Sequence, residues 1–448
     1  MKVVAVADTD SYSKWAASLL AAMPDAWQKR LVLLATPLAP SADQVRTALL
    51  GTGLDAADVP MLTLRELKDW LAIERPDVVV ASTLGSVAEL VLGVAHHGSG
   101  RDGSGRDGSR RGGSRRPVLV TGLPGIGVPV RKRAITHRSQ ADLFVVHSRR
   151  ERREFNTLAA EQRIPMRFGL ATLPFLPSSP PPAPLVEPAE TRPTSVVEER
   201  PSAARTRLET RGTDVVFAAQ AIVPAKRPDR IRLLKALAAL ATSDPTRRVV
   251  IKLRARPGEQ QTHRERDGYD ELLAELPDAP ANLVLDHSSM ADALDRAGAL
   301  VTVSSTAALE AIARGLPVLA LDDFGVGPAQ INEIFEDSGL FGSLEDLAAG
   351  RFGVVNPGWL DENYFHGAAQ DDWLDHLDAL NLERERGNLP VRPFRRIAGG
   401  PLGRAWRRKQ ALGRYDRSVG GSLALVVGSV ALPTLKALRR LRKSLPAG

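Results

Sequence analysis

Ser304, Ser305 and Thr306 stand side by side in VTVSSTAALEAIARGLPVLALDDFG, residues 301–325, and Glu310 follows within the same stretch. The apolar run 300–303 reads as a strand, 306–314 as a helix and 318–321 as the next strand. The three hydroxyls therefore fall at a strand's carboxyl end. Ser305 suits the N-cap of a helix starting at Thr306. Leu309, Ile312 and Leu316 then share the face that packs on the sheet, and Glu310 points away from it. The first turn of such a helix presents unpaired N–H groups and the positive end of its dipole, a locality that suits a phosphate. A purely structural account also stands: Ser305 caps, and Glu310 complements the dipole.

Other residue sets invite chemistry. Lys252, Arg254 and Arg256 in VVIKLRARPGEQQTH occupy alternate positions from the strand 248–253, and so share one face if the strand continues; His263 closes the segment. They supply positive charge for a phosphate or form a solvated basic loop. In ADTDSYSKW, residues 7–15, a strand delivers Asp8 and Asp10 to its end. A carboxylate there can take a proton from a hydroxyl or cap a helix. The stretch TGLPGIGVPVRKRAITHR, residues 121–138, is a Gly-rich loop followed by basic residues and His137. It lacks the Gly-Lys-Ser/Thr of a Walker loop and the Gly-x-Gly-x-x-Gly of a dinucleotide site. It reads as a cleft-lining loop, with His137 an alternative base. His147, ahead of the charged run 149–153, reads as the start of a solvated helix. No histidine or carboxylate cluster has metal-ligand spacing, and adjacent Asp322 and Asp323 cannot complete a coordination shell alone. Metal-independent chemistry without a cofactor is expected.

These residues need a scaffold. At 448 residues the chain implies roughly two to three domains. Short apolar runs at 3–7, 31–35, 78–81, 118–121 and 143–146 alternate with helix-length amphipathic segments such as 14–23 and 65–73. The pattern resumes at 215–218, 248–253, 283–285, 300–303 and 318–321. Such alternation implies parallel sheets covered on both faces. The predicted fold is α/β: two doubly wound, Rossmann-like domains facing a cleft, with a basic C-terminal tail. Ligands of such sheets bind beyond the carboxyl ends of the strands. The expected domains are 1–175, containing a disordered Gly/Ser/Arg loop at 98–116, a Pro-rich linker at 176–212, a nucleotide-binding domain at 213–370, and a helical basic tail at 371–448.

Composition narrows the classes. The chain has no cysteine, which excludes disulfides and thiolate chemistry. The net charge of +8 is concentrated in residues 391–448, where fourteen Lys or Arg meet only Asp416; residues 1–390 are net acidic. With aromatics at 5%, a nucleic-acid channel is not the expected reading. The apolar run after Met1 is too short for a signal peptide, so a cytoplasmic start is expected. Residues 422–445 are too short in apolar length to span a bilayer. They suit a helix on an anionic membrane surface, or one docked back on the protein.

The 301–325 stretch resembles the donor-binding segment of GT-B glycosyltransferases: strand, Ser304-Ser305-Thr306, a helix bearing Glu310-Ala311, then Gly315, Pro317 and a strand. Its Ser-Ser form is most similar to capsule and sialic-acid-type transferases, and the whole chain resembles an uncharacterised bacterial family grouped with the glycosyltransferases. The resemblance implies that nucleotide phosphate docks at the helix N-terminus, that Glu310 takes the ribose hydroxyls, and that acceptor and base belong to N-terminal loops. Asp10 is then the first candidate base, and Lys252, Arg254 and Arg256 face the leaving phosphate. Related enzymes carry a His-Pro pair where this chain has Arg256-Pro257, which leaves the role of His263 open. The implied partners are a nucleotide-sugar donor and a glycan or lipid-linked acceptor at the inner face of the membrane. A sugar-nucleotide epimerase, an activated-alcohol phosphotransferase of wall-polymer synthesis and a non-catalytic nucleotide-binding relative remain the alternatives.

Overall fold

Alternate residues of the apolar runs are buried on opposite faces of two sheets. In β1 (Lys2–Ala7), Val3, Ala5 and Ala7 enter one core cluster while Val4 and Val6 enter another. In β9 (Asp214–Ala218), Val216 and Ala218 face one cluster, and Val215 and Phe217 the other. Helices on both faces leave no polar side to a strand, which is why these runs are continuously apolar. The computed structural model describes residues 1–97, 116–174, 176, 205–207, 213–253, 267–390, 392 and 400–423. Arg254, Arg256, His263, loop positions 98–115, most of the Pro-rich linker and the tail from 424 onward lie outside the described residues.

The N-terminal lobe interleaves β1, α1 (Asp10–Ala22), β2 (Gln28–Leu34), α2 (Ala42–Leu49), β3 (Met61–Leu62), α3 (Leu64–Glu74), β4 (Val78–Ser82), α4 (Gly85–His97), β5 (Val118–Gly122), α5 (Lys132–Thr136), β6 (Leu143–Val146), α6 (Arg149–Glu161) and β7 (Arg167–Leu170). Its seven strands pair in parallel, in the order β3-β2-β1-β4-β5-β6-β7. The C-terminal lobe begins with β8 (Arg205–Arg207) and β9. It continues through α7 (Arg227–Ser243), β10 (Val249–Lys252), α8 (Tyr269–Ala274), β11 (Leu283–Asp286), α9 (Met290–Asp295), β12 (Ala297–Thr302), α10 (Ala307–Ala313) and β13 (Val318–Leu321). The lobe ends with β14 (Phe341–Gly342), α11 (Leu344–Ala348), β15 (Arg351–Gly353) and α12 (Pro357–Glu362). Its sheet order is β11-β10-β9-β12-β13-β15-β8, with β14 on β13; β15 runs antiparallel to both its neighbours. These are two doubly wound α/β domains of the GT-B-like type.

Three assignments from sequence differ. Arg116, placed in the low-complexity loop, is buried: its Nη1 and Nη2 meet Asp142 at 2.6 and 2.8 Å. Composition marks the tract but not the residue at which a partner stops it. Leu176 is buried and β8 pairs with β15, so these two pieces of the linker segment belong to the folded lobes. Among the described residues after 370, the chain does not form a separate tail. Helix α13 (Trp373–Glu385) returns to the N-terminal lobe, where Trp373, Leu377 and Leu380 join Trp15 in one core. The fit is close enough that a Cβ on Gly169 of β7 would lie 2.7 Å from Trp373 Cα. Helix α14 (Gly400–Leu412) then packs on α4, with Leu412 in the same lobe's other core.

Candidate functional site

At the N-terminal strand end, β1 delivers Asp8, and Thr9 rather than either aspartate caps α1, its Oγ1 accepting from Tyr12 N at 3.4 Å. Asp8 is fully buried. Both its carboxylate oxygens accept from Leu84 N at 3.2 Å, and burial pushes its pKa up to about 7 against the pull of Arg138. Arg138, also buried, donates to Thr121 Oγ1 at 3.1 Å, Tyr12 OH at 2.9 Å and Thr83 O at 2.8 Å. This network fixes the ends of β1, β4 and β5 to one another.

Asp10 is the first residue of α1, and Lys14, one turn on, places Nζ 2.9 Å from Asp10 Oδ2. Asp10 Oδ1 is shielded from solvent and has no hydrogen-bond partner among the described residues. His137 sits at the end of α5, its Nδ1 3.0 Å from Glu89 Oε2 on α4. Its partners are thus on α4, whereas Asp10 belongs with α1.

At the C-terminal strand end, α10 starts at Ala307, one residue later than the sequence suggests, and Thr306 is the cap position. The two serines are committed to the turn itself. Ser304 N donates to Gln220 Oε1 at 2.8 Å, and Ser304 Oγ donates to Ile331 O. Ser305 N donates to Thr302 Oγ1 at 3.0 Å, while Ser305 Oγ accepts from Ala307 N at 3.2 Å. The expectation that several free amides and three hydroxyls await a phosphate is therefore corrected: the turn satisfies most of them, and Thr306 is the exposed member. Leu309 and Ile312 are buried against the sheet as expected.

The lobes meet here. A Cβ on Gly125, in the loop after β5, would lie 3.3 Å from Thr306 Cγ2. Glu310 is half-buried, and burial raises its pKa; the opposing positive charges are Arg314 and, from the other lobe, Lys14. At the strand ends, then, Thr306 packs on the N-terminal lobe through Gly125, and Lys14, paired with Asp10, acts on the charge of Glu310. Lys252 is not one of this group. It is 5% exposed, and its ammonium donates to Leu253 O at 2.5 Å near Asp286 and Asp292. Its charge is turned inward, because burying an ammonium requires such partners.

Two functional-looking features escaped the sequence reading. His147 does not start a solvated helix: it is buried, its Nε2 accepts from Trp15 Nε1 at 2.7 Å, and Nδ1 bonds Ala171 O at 2.8 Å. Burial lowers its pKa to about 4, so the ring is neutral. Glu151 joins the lobes. Its Oε1 accepts from Gly127 N at 2.6 Å and from Tyr364 OH at 2.5 Å, and Oε2 accepts from His147 N at 2.8 Å. The Ser148-x-x-Glu151 spacing of a capping box was the available signal, but Tyr364 lies 213 residues away.

In structure, the chain is similar to a protein described as a "putative UDP-N-acetylglucosamine 2-epimerase from Listeria monocytogenes". The two share 14% identity and a TM-score of 0.51, over 89% of this chain and 99% of that one. It is similar also to MnaA of S. aureus in its complex with UDP, at 12% identity and TM-score 0.50, over 88% and 98%. The lipopolysaccharide outer core galactosyltransferase WaaB in its apo form aligns at 11% identity and TM-score 0.40, over 87% and 99%. At such identities the first two likenesses speak for the fold alone. No curated protein matches in sequence. A family profile does, over residues 3–380, and by it the chain belongs to the family described as "Putative glycosyltransferase (DUF6716)".

Proposed function

We propose that the protein transfers a sugar from a nucleotide-sugar donor to a hydroxyl of a glycan or lipid-linked acceptor. The observation that carries this reading is the contact of the lobes at Gly125 and Thr306, with the Asp10–Lys14 pair on one side, its Lys14 charge acting on Glu310 on the other. Membership of a family described as glycosyltransferases supports the reaction class. In this reading Glu310 accepts from the ribose hydroxyls, and Thr306, with its N–H and hydroxyl at the mouth of α10, contacts the donor phosphates. Asp10 takes the proton of the acceptor hydroxyl, and its unpartnered Oδ1 is the atom that would receive it. Holding donor and acceptor together between the lobes supplies the remainder of the rate. The reading uses no resident metal. His137 stays a second candidate base, and Arg254, Arg256 and His263 remain candidates for the donor side.

No helix among the described residues is long and apolar enough to cross a membrane. A cytoplasmic enzyme whose basic tail meets anionic lipid fits a lipid-linked acceptor, and belongs to the same proposal.

The test is a panel of labelled nucleotide-sugars incubated with oligosaccharide and membrane-lipid acceptors. Acceptor-dependent transfer is expected, reduced about 10²- to 10⁴-fold by Asp10→Asn. Interconversion of the nucleotide-sugar without acceptor would replace transfer by epimerisation, and binding without turnover would leave a nucleotide-binding relative.

A further inference from the structure

We propose that Lys14 is the residue with which the N-terminal lobe binds the distal phosphate of a nucleoside diphosphate donor, exchanging its ion pair with Asp10 for that phosphate during transfer. The proposal rests on the donor-site reading above and names the cation that the reading lacks.

A departing phosphate needs a positive charge that is close, free to move and not already neutralised. The described cations near the strand ends differ on this point. Lys252 is buried on the Leu253 carbonyl. Arg138 is held inside the N-terminal lobe by Thr121, Tyr12 and Thr83. Arg314 bonds the Glu310 carbonyl at 3.2 Å and stands 3.5 Å from Asp295. Lys14 is 51% exposed, and its partner Asp10 is 32% exposed. A pair so open to water is weak, so Lys14 gives it up at little cost. The chain after β5 links this part of α1 to the other lobe, since Trp15 packs on Gly122 and Thr306 on Gly125, and the Lys14 charge is among those opposing the upward pKa shift of Glu310. Glu310 and Thr306 share the α10 end, so a donor held by both would bring its phosphates within reach of Lys14.

The exchange also serves the acceptor. While Lys14 is paired with Asp10 it holds Oδ2 of that carboxylate; drawn to the phosphate, it leaves the carboxylate free to meet the acceptor hydroxyl. The bond from the anomeric carbon to the phosphate oxygen breaks with its electron pair on that oxygen, where Lys14 stabilises it. The acceptor oxygen bonds the anomeric carbon and its proton passes to Asp10. Charge and atoms balance without a further reactant.

The experiment compares binding of UDP, GDP, CDP and ADP with that of the matching monophosphates, by calorimetry, to wild type, Lys14→Met, Lys14→Gln and Lys14→Arg. Wild type should prefer one diphosphate over its monophosphate by about tenfold or more. Lys14→Met and Lys14→Gln should lose that preference while holding the monophosphate as wild type does, and Lys14→Arg should keep most of it. An unchanged preference in the Met and Gln variants overturns the role of Lys14 and leaves the nucleotide site standing. Equal binding of mono- and diphosphate by wild type overturns it as well. If wild type binds none of the nucleotides, the donor-site reading itself fails and this inference with it.

Discussion

β1 and β12 are central strands, third and fourth in two sheets of like order, yet their carboxyl ends are built from different chemistry. The β1 end buries ionisable side chains: Asp8 and Arg138 lie inside, tied to Leu84, Tyr12, Thr83 and Thr121. The β12 end buries none of its own. It is made from Thr302, Ser304 and Ser305, whose hydroxyls close the turn, followed by the small residues Ala307 and Ala308. At both ends the residues nearest the strand hold the scaffold. Those proposed to meet a ligand sit further on, Asp10 in the first turn of α1, Lys14 one turn later, and Thr306 and Glu310 at the start of α10. On the proposed function, a charged residue at a strand end is a poorer sign of chemistry than one in the turn beyond it.

Replacing Arg138 by Met should show the largest contrast. It strands Tyr12 OH and Thr83 O in the core, leaves Thr121 Oγ1 only its bond to Ala81 O, and should lower stability by roughly 3–5 kcal/mol in urea unfolding. A loss below about 1 kcal/mol would mean that the β1 end is no more rigidly determined than the β12 end.

The pH dependence sharpens the same point. Asp8 holds its proton in the folded chain up to about pH 7, whereas unfolded aspartate releases it near 3.8. Between these values the native state binds the extra proton, so stability falls as pH rises from about 4 to 7 and is level above that. At about 1.4 kcal/mol per unit the contribution is about 4 kcal/mol. Asp8→Asn should remove that part of the slope, and an unchanged slope would place the proton elsewhere.

The smallest effect belongs to the other lobe. Ser305→Ala leaves the Ala307 amide without its acceptor and should cost about 1 kcal/mol. A cost equal to that of Arg138→Met would erase the contrast.

Much of the scaffold was legible. β6 and β13 have the bounds the apolar runs suggest, and the α/β alternation gave the two sheets, because a strand buried on both faces must be apolar throughout. Glu310 was legible as non-core from helical phase. The partners of Ser304 were not, since Gln220 and Ile331 are distant in sequence. Nor was the inward turn of Lys252, because an ammonium reads the same in sequence whether water or a carbonyl receives it.

By itself, then, the sequence determined the strands, the helices and the two-lobe plan, since these follow from local periodicity and from what can be buried. Only the tertiary structure decided which polar groups remain open. It brought Lys14 toward Glu310, packed Gly125 on Thr306, returned Trp373 to the first core and joined Glu151 to Tyr364. Those outcomes depend on which distant donor, acceptor or charge arrives beside each group, and burial makes each such arrival decisive by removing water as the alternative partner.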